Sequence, residues 1–142
     1  MWKQSLILLA FLSVACDDNA TRQTSTGLDP ADECLKVAQH FLGDISLVES
    51  KKSGYEPFYG VDLTVTSAKG TKTVTCKYLI NEEREQLYFA TIGFDGEFVD
   101  NFKAIKGFVQ ATLEGQDKGK EKQAIIFHAT EIKNLLLTQA AR

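Results

Sequence analysis

Apolar and polar residues alternate along this chain with two different periods, and each period predicts its own elements. Between residues 34 and 42, Cys34, Leu35, Val37, Ala38, Phe41 and Leu42 recur at the spacing of one helix face. Asp29 suits the N-cap of that helix and Pro30 its first position, while Asp32 and Glu33 lie near its positive end. Gly43 is a natural stop. Ile45, Leu47 and Val48 add either a further turn or a short strand, and the pattern leaves both open. A period of two then takes over. Val61, Leu63 and Val65 alternate with Asp62, Thr64 and Thr66, and Val74, Cys76, Tyr78 and Ile80 alternate with Thr73, Thr75 and Lys77. Residues 87–94 form a third run rich in aromatic and apolar side chains. Turn signals at 68–70 and a polar stretch at 81–86 separate the three runs, as in an antiparallel meander.

Beyond the turn signal Asp95-Gly96 the helical period returns. Asp100 is placed to cap a helix bearing Phe102, Ile105, Phe108, Val109 and Leu113, in which Gly107 costs about 1 kcal/mol relative to alanine. A charged linker at 116–122 leads to Ile125, Ile126, Ala129, Ile132, Leu135 and Leu136, again at helical spacing. The alternative for this last segment is a short strand at 124–127 before a shorter helix. The expectation is therefore an α+β fold: an N-terminal helix packed on a three-stranded antiparallel meander, followed by two C-terminal helices. The chain shows no internal repeat.

The first sixteen residues follow neither pattern. They read MWKQSLILLAFLSVAC: a positive Lys3, a mostly apolar run from Ser5 to Val14 too short to span a bilayer, small residues, then Cys16. The end of this stretch, Leu12-Ser13-Val14-Ala15-Cys16, resembles the lipobox of bacterial lipoproteins. Ala15 and Cys16 match that pattern, and Ser13 stands where leucine is commonest. The resemblance implies removal of residues 1–15 as a signal peptide, acylation of Cys16, and membrane anchoring of all that follows. The alternatives are an ordinary signal peptide that releases a soluble protein, or a short membrane anchor. In lipoproteins of Gram-negative cells an acidic residue directly after the acylated cysteine acts as an inner-membrane retention signal, which Asp17 and Asp18 resemble; otherwise they simply open a polar linker. Residues 16–28 would form the lipidated cysteine and a tether without periodicity, and residues 29–142 a single domain.

Composition narrows the class. Beyond Cys16 lie 126 residues, enough for one core. They carry 15 basic and 19 acidic residues, since residues 1–16 contain one lysine and no acid. The signs are mixed along the chain, without the Lys/Arg clustering of a nucleic-acid footprint. With Cys16 committed to lipid, Cys34 and Cys76 remain as an even pair in an exported chain. Both belong to faces that should meet, one on the helix stripe and one on the sheet. A bridge there would stabilise the fold by about 4 kcal/mol in the chain-entropy account. The alternative is two buried thiols acting as small hydrophobes. The helix-then-meander layout over residues 30–94 also resembles a domain of small bacterial lipoproteins and secreted proteins. In those, a first-helix cysteine can face one in the second strand, although the Ser/Pro-rich connection common after their helix is missing here.

Candidate chemistry is sparse. Lys69-Gly70-Thr71-Lys72 lacks the earlier glycine of a phosphate loop and reads as a hairpin turn. Asp95, Glu97 and Asp100 are too few for a calcium loop. His40 has no partner at metal-ligand spacing and reads as a surface or boundary residue, and His128, among Ile126, Phe127 and Ala129, reads as a core-edge histidine with no nucleophile beside it. No catalytic residue, metal or cofactor is assigned, and the chain is not read as an enzyme. The loop 53–60 carries Tyr55, Phe58 and Tyr59, which either cap the core edge or form a contact patch for a partner. The resulting expectation is a lipid-anchored, inner-membrane protein facing the periplasm, which acts as an interaction module for a membrane or periplasmic protein. One version resembles the exclusion lipoproteins of conjugative plasmids, which block redundant DNA transfer. A structural accessory of an envelope complex is the alternative, followed by a small periplasmic enzyme or inhibitor.

Overall fold

A computed structural model describes residues 22–113 and 117–141. Along the chain run β1 (Gln23–Thr24), α1 (Pro30–Leu42), β2 (Ser46–Ser53), β3 (Phe58–Ser67), β4 (Gly70–Asn81), β5 (Gln86–Phe94), β6 (Glu97–Phe98), α2 (Asn101–Thr112) and α3 (Lys118–Ala140). The strands form one six-stranded sheet in the order β1-β5-β4-β3-β2, with β6 also paired to β5. This corrects the expected helix on a three-stranded meander. The meander has four strands, β2 to β5, and two short strands flank it at β5, one of them, β1, parallel.

The additional strands had little side-chain signal to announce them. β2, Ser-Leu-Val-Glu-Ser-Lys-Lys-Ser, is exposed along nearly its whole length and is held by its backbone ladder to β3 from Ser46↔Thr66 to Ser53↔Gly60. A bulge at Val48 breaks any alternation, and Glu49, Lys51 and Lys52 keep this edge strand unattractive to another chain. β1 lies inside the stretch expected to be tether. Gln23 and Thr24 pair with Gln86 and Leu87, and the Thr24 side chain is buried.

α1 and α2 cover one face of the sheet. α1 forms where the sequence places it: Asp29 caps Ala31 N–H at 3.1 Å, and Gly43 (φ 83°) returns its N–H to the Gln39 carbonyl. Val61, Leu63 and Val65 of β3, Val74, Cys76, Tyr78 and Ile80 of β4, and Leu87, Phe89 and Ile92 of β5 meet these helices in the main core. Phe89 and Ile92 share a face although three residues apart, because a bulge opposite Lys77 and Tyr78 inserts Ala90 as the extra residue. Gly107 lets α1 and α2 approach closely: a Cβ there would sit 2.5 Å from the Phe41 ring. Its cost in helix propensity is offset by that packing.

α3 is one helix, without a strand at 124–127. Its first half joins the main core through Ile125, Ala124 and Ala129, and Gln110 Nε2 donates to Glu121 Oε1 at 2.8 Å. Its second half packs Ile132 and Leu135 against Leu79 and Tyr88, on the opposite face of the sheet. The helix therefore crosses the outer edge of β5. Several side chains expected inside lie outside: Phe102 of α2 and Ile126 and Leu136 of α3 are exposed.

Candidate functional site

Cys34 and Cys76, both fully buried, are bonded, with Cα atoms 5.9 Å apart. The bond joins the middle of α1 to the middle of β4 and leaves neither sulfur free for chemistry. Next to it Glu33 is a buried carboxyl. Its Oε2 accepts a hydrogen bond from Thr26 Oγ1, while Oε1 has no hydrogen-bond partner among the described residues; the nearby Tyr78 hydroxyl donates to the Pro30 carbonyl at 3.1 Å. Burial holds the Glu33 pKa above the ordinary carboxylate value, against the opposing pull of the Thr26, Thr24 and Tyr78 hydroxyls.

Tyr55, Phe58 and Tyr59 line one shallow surface hollow but are not equally exposed. Phe58 packs on the Leu79 cluster, and Tyr59 packs on the main core with its ring 6.4 Å from that of Tyr78. These two rings cap the core edge. Tyr55 alone stands out, 79% exposed at the turn between β2 and β3. Its carbonyl accepts from Phe58 N–H at 2.7 Å and closes that turn. Arg22, just before β1, lies alongside, with Nη1 4.0 Å from Glu56 Oε1.

The acidic group at 95–100 is used by the fold. Asp95 Oδ1 accepts from Thr73 N–H at 2.9 Å and Oδ2 from Lys72 Nζ at 3.2 Å, and the backbone bond, then the lysine, lower its pKa. Asp100 caps Phe102 and Lys103 N–H. Among the described residues no group of three or more His, Cys, Asp or Glu is placed to hold a metal ion. His40 is exposed on α1 and meets Phe41 edge-on. Cys16, Asp17 and Asp18 lie outside the described residues.

The feature that sequence reasoning missed is the outer edge of β5. An edge strand leaves backbone carbonyls that need donors. Ser25 N–H supplies one to Leu87, Val99 N–H supplies one to Ile92, and between them His128 Nε2 supplies one to Phe89 at 2.6 Å. A carbonyl only accepts, so Nε2 carries the proton. The ring lies 4.6 Å from that of Phe108 and 6.1 Å from that of Tyr88. Burial lowers its pKa, against the Phe89 bond and the Glu131 charge, and so favours the neutral imidazole.

Beside His128, between β5, α2 and α3, runs an open groove of about 380 Å³. Phe108, Val109, Leu113, Ala124 and Phe127 supply its apolar lining. At its mouth Arg84 Nη1 donates to the Tyr88 hydroxyl at 3.1 Å, and that hydroxyl lies 3.4 Å from Gln86 Oε1. Phe127, 62% exposed, is left out of the core and forms one wall. The lining comes from residues 25 to 128 of the chain, so no local motif announces it. The one signal available was the surplus of apolar residues in α3. No helix among the described residues is long and apolar enough to cross a membrane. Comparisons with known protein families, curated proteins and solved structures find no match.

Proposed function

We propose that this chain is a lipid-anchored interaction module of the periplasm, held at the inner membrane through Cys16 and binding an apolar segment of a membrane or periplasmic protein in the groove beside His128. The lipobox supports the address, and Asp17 and Asp18 support the inner-membrane location. The observation that supports the activity is the groove itself. It combines an apolar floor with a hydrogen-bonding rim at Arg84, Tyr88 and Gln86, and its Phe127 wall serves no core contact that would explain an exposed ring. A catalytic reading is weaker because the groove's one imidazole is already committed, through its proton-bearing nitrogen, to the Phe89 carbonyl.

The test is site-specific photocrosslinking of the anchored protein in cells, with the crosslinker at Phe127 and, as a control, at the exposed Lys69 in the β3–β4 turn. A discrete protein adduct from Phe127 that is absent from Lys69 is the expected result. No adduct at Phe127, or the same adducts at both positions, overturns the groove as the binding site. Cys16→Ser, which should block lipid labelling and processing, checks the anchor separately.

A further inference from the structure

Anchoring at Cys16, proposed above, has a geometric consequence for how the domain meets the bilayer. Six residues separate Cys16 from Gln23, where β1 begins. Seven Cα steps reach at most about 25 Å fully extended and on the order of 15 Å as a coil. A compact domain of this length has a radius of gyration of roughly 14 Å and so a width of roughly 35 Å. The anchor is therefore shorter than the domain is wide, and the end of the sheet where the chain enters is the end held nearest the lipid, within about 25 Å of it.

That end is identified by the strand register. β1 pairs with the beginning of β5, β5 begins opposite the last residues of β4, and the last residues of β4 pair with the beginning of β3. The turn between β2 and β3 is thus at the same end as Arg22, and the Arg22–Glu56 ion pair and a shared surface hollow bring the two together. At the tip of this turn is Tyr55, whose two aromatic neighbours in sequence turn back into the fold. A tyrosine joins an apolar ring to a polar tip and is favoured at the membrane–water interface.

We infer that the β2–β3 turn rests in the headgroup layer of the bilayer that holds the anchor, with the Tyr55 ring at the interface. The contact is made by the ring rather than by charge. Arg22, Lys52 and Arg84 at this end are matched by Glu56, Glu82, Glu83 and Glu85, so the surface has no positive excess to draw it to anionic lipid.

The only tryptophan of the sequence, Trp2, precedes the cleavage point, so Tyr55→Trp gives the processed protein a single tryptophan. Lipidated Tyr55→Trp is reconstituted in phosphatidylethanolamine/phosphatidylglycerol vesicles with brominated acyl chains. Lys69→Trp, about 33 Å away at the other end of β3, serves as the reference. The expected result is strong, salt-insensitive quenching for Tyr55→Trp and little for Lys69→Trp. Vesicle-bound protein with equal quenching at both positions overturns this inference and leaves the anchor standing. Protein that fails to float with vesicles overturns both.

Discussion

The two ends of the helical layer use their apolar residues in opposite ways. α1 gathers Cys34, Val37 and Ala38 on one buried face, begins at a side-chain cap, stops at a glycine and is bonded to β4. α3 is nearly twice as long, yet buries only Ile125, His128 and Ile132, and leaves Ile126, Phe127, Leu136 and Leu137 exposed. A helix whose apolar stripe matches the core is explained by the core. A helix that crosses a sheet edge must serve two faces in turn, and the residues between those faces are left over. On α3 one of them, Phe127, forms the wall of a groove. The difference separates the part of the molecule that maintains the fold from the part with surface to offer a partner.

The bond that fixes α1 is where a substitution should cost the most stability. Cys34→Ala should lower stability by about 4 kcal/mol, the chain-entropy value for a loop of 42 residues, a large share of what a small domain has. Cys76→Ala should do the same, and the double variant should match either single one, since the same bond is lost in each. Urea denaturation of the exported domain reads this directly. Two reactive thiols in wild type unfolded without reductant would contradict it.

A smaller effect separates the two regions by pH. His128, on the α3 side, has a lowered pKa in the fold, so the unfolded chain takes up a proton first as pH falls. Its contribution to stability is complete above the unfolded value of about 6.5 and is lost as pH falls from there through the folded value. Glu33, on the α1 side, has a raised pKa and the opposite sign. Its contribution is complete below the unfolded value near 4.5 and is lost as pH rises through the folded value. His128→Gln should therefore flatten the fall in stability below neutrality. Glu33→Gln should remove the loss on the alkaline side of pH 4.5 and hold or raise stability at pH 7. Denaturation midpoints across pH 4–8 check both, and unchanged slopes in the variants would contradict the burial argument.

How much of this was legible beforehand follows the same division. The α1 side is written locally: a cap, a proline, a stripe and a glycine fall within fifteen residues, and the cysteine faces follow from two periodicities. Asp100 likewise announces α2, and the apolar alternations at 61–65 and 74–80 lie within β3 and β4. What escaped the pattern was held by backbone rather than side chains. β2 buries almost nothing, and β1 and β6 are two residues each. The Ala90 bulge changes the phase of β5 without changing its composition. The course of α3 depends on where β5 leaves an edge open, a property of the assembled sheet. For the same reason His128 could be placed near the core edge from its neighbours, while its partner, the Phe89 carbonyl 39 residues away, could not.

The smallest effect on stability should come with the largest effect on binding. Phe127 is exposed, so replacing it removes little buried area, and its helix position tolerates a polar side chain at a cost of a few tenths of a kcal/mol. Phe127→Ser should therefore unfold within about 0.5 kcal/mol of wild type. The ring nevertheless lines the groove together with Leu113 and Val109, and an aromatic anchor at the centre of an interface commonly carries 2 kcal/mol or more of binding. That corresponds to a loss of about 30-fold in affinity for a partner that uses the groove. Lys69→Ser, at the far turn, should leave both quantities unchanged. The measurement is a paired one, denaturation and partner capture on the same preparations. A Phe127→Ser protein that captures its partner at wild-type strength would assign the Phe127 wall of the groove no role in recognition. A variant that fails to fold would show instead that Phe127 belongs to the core after all.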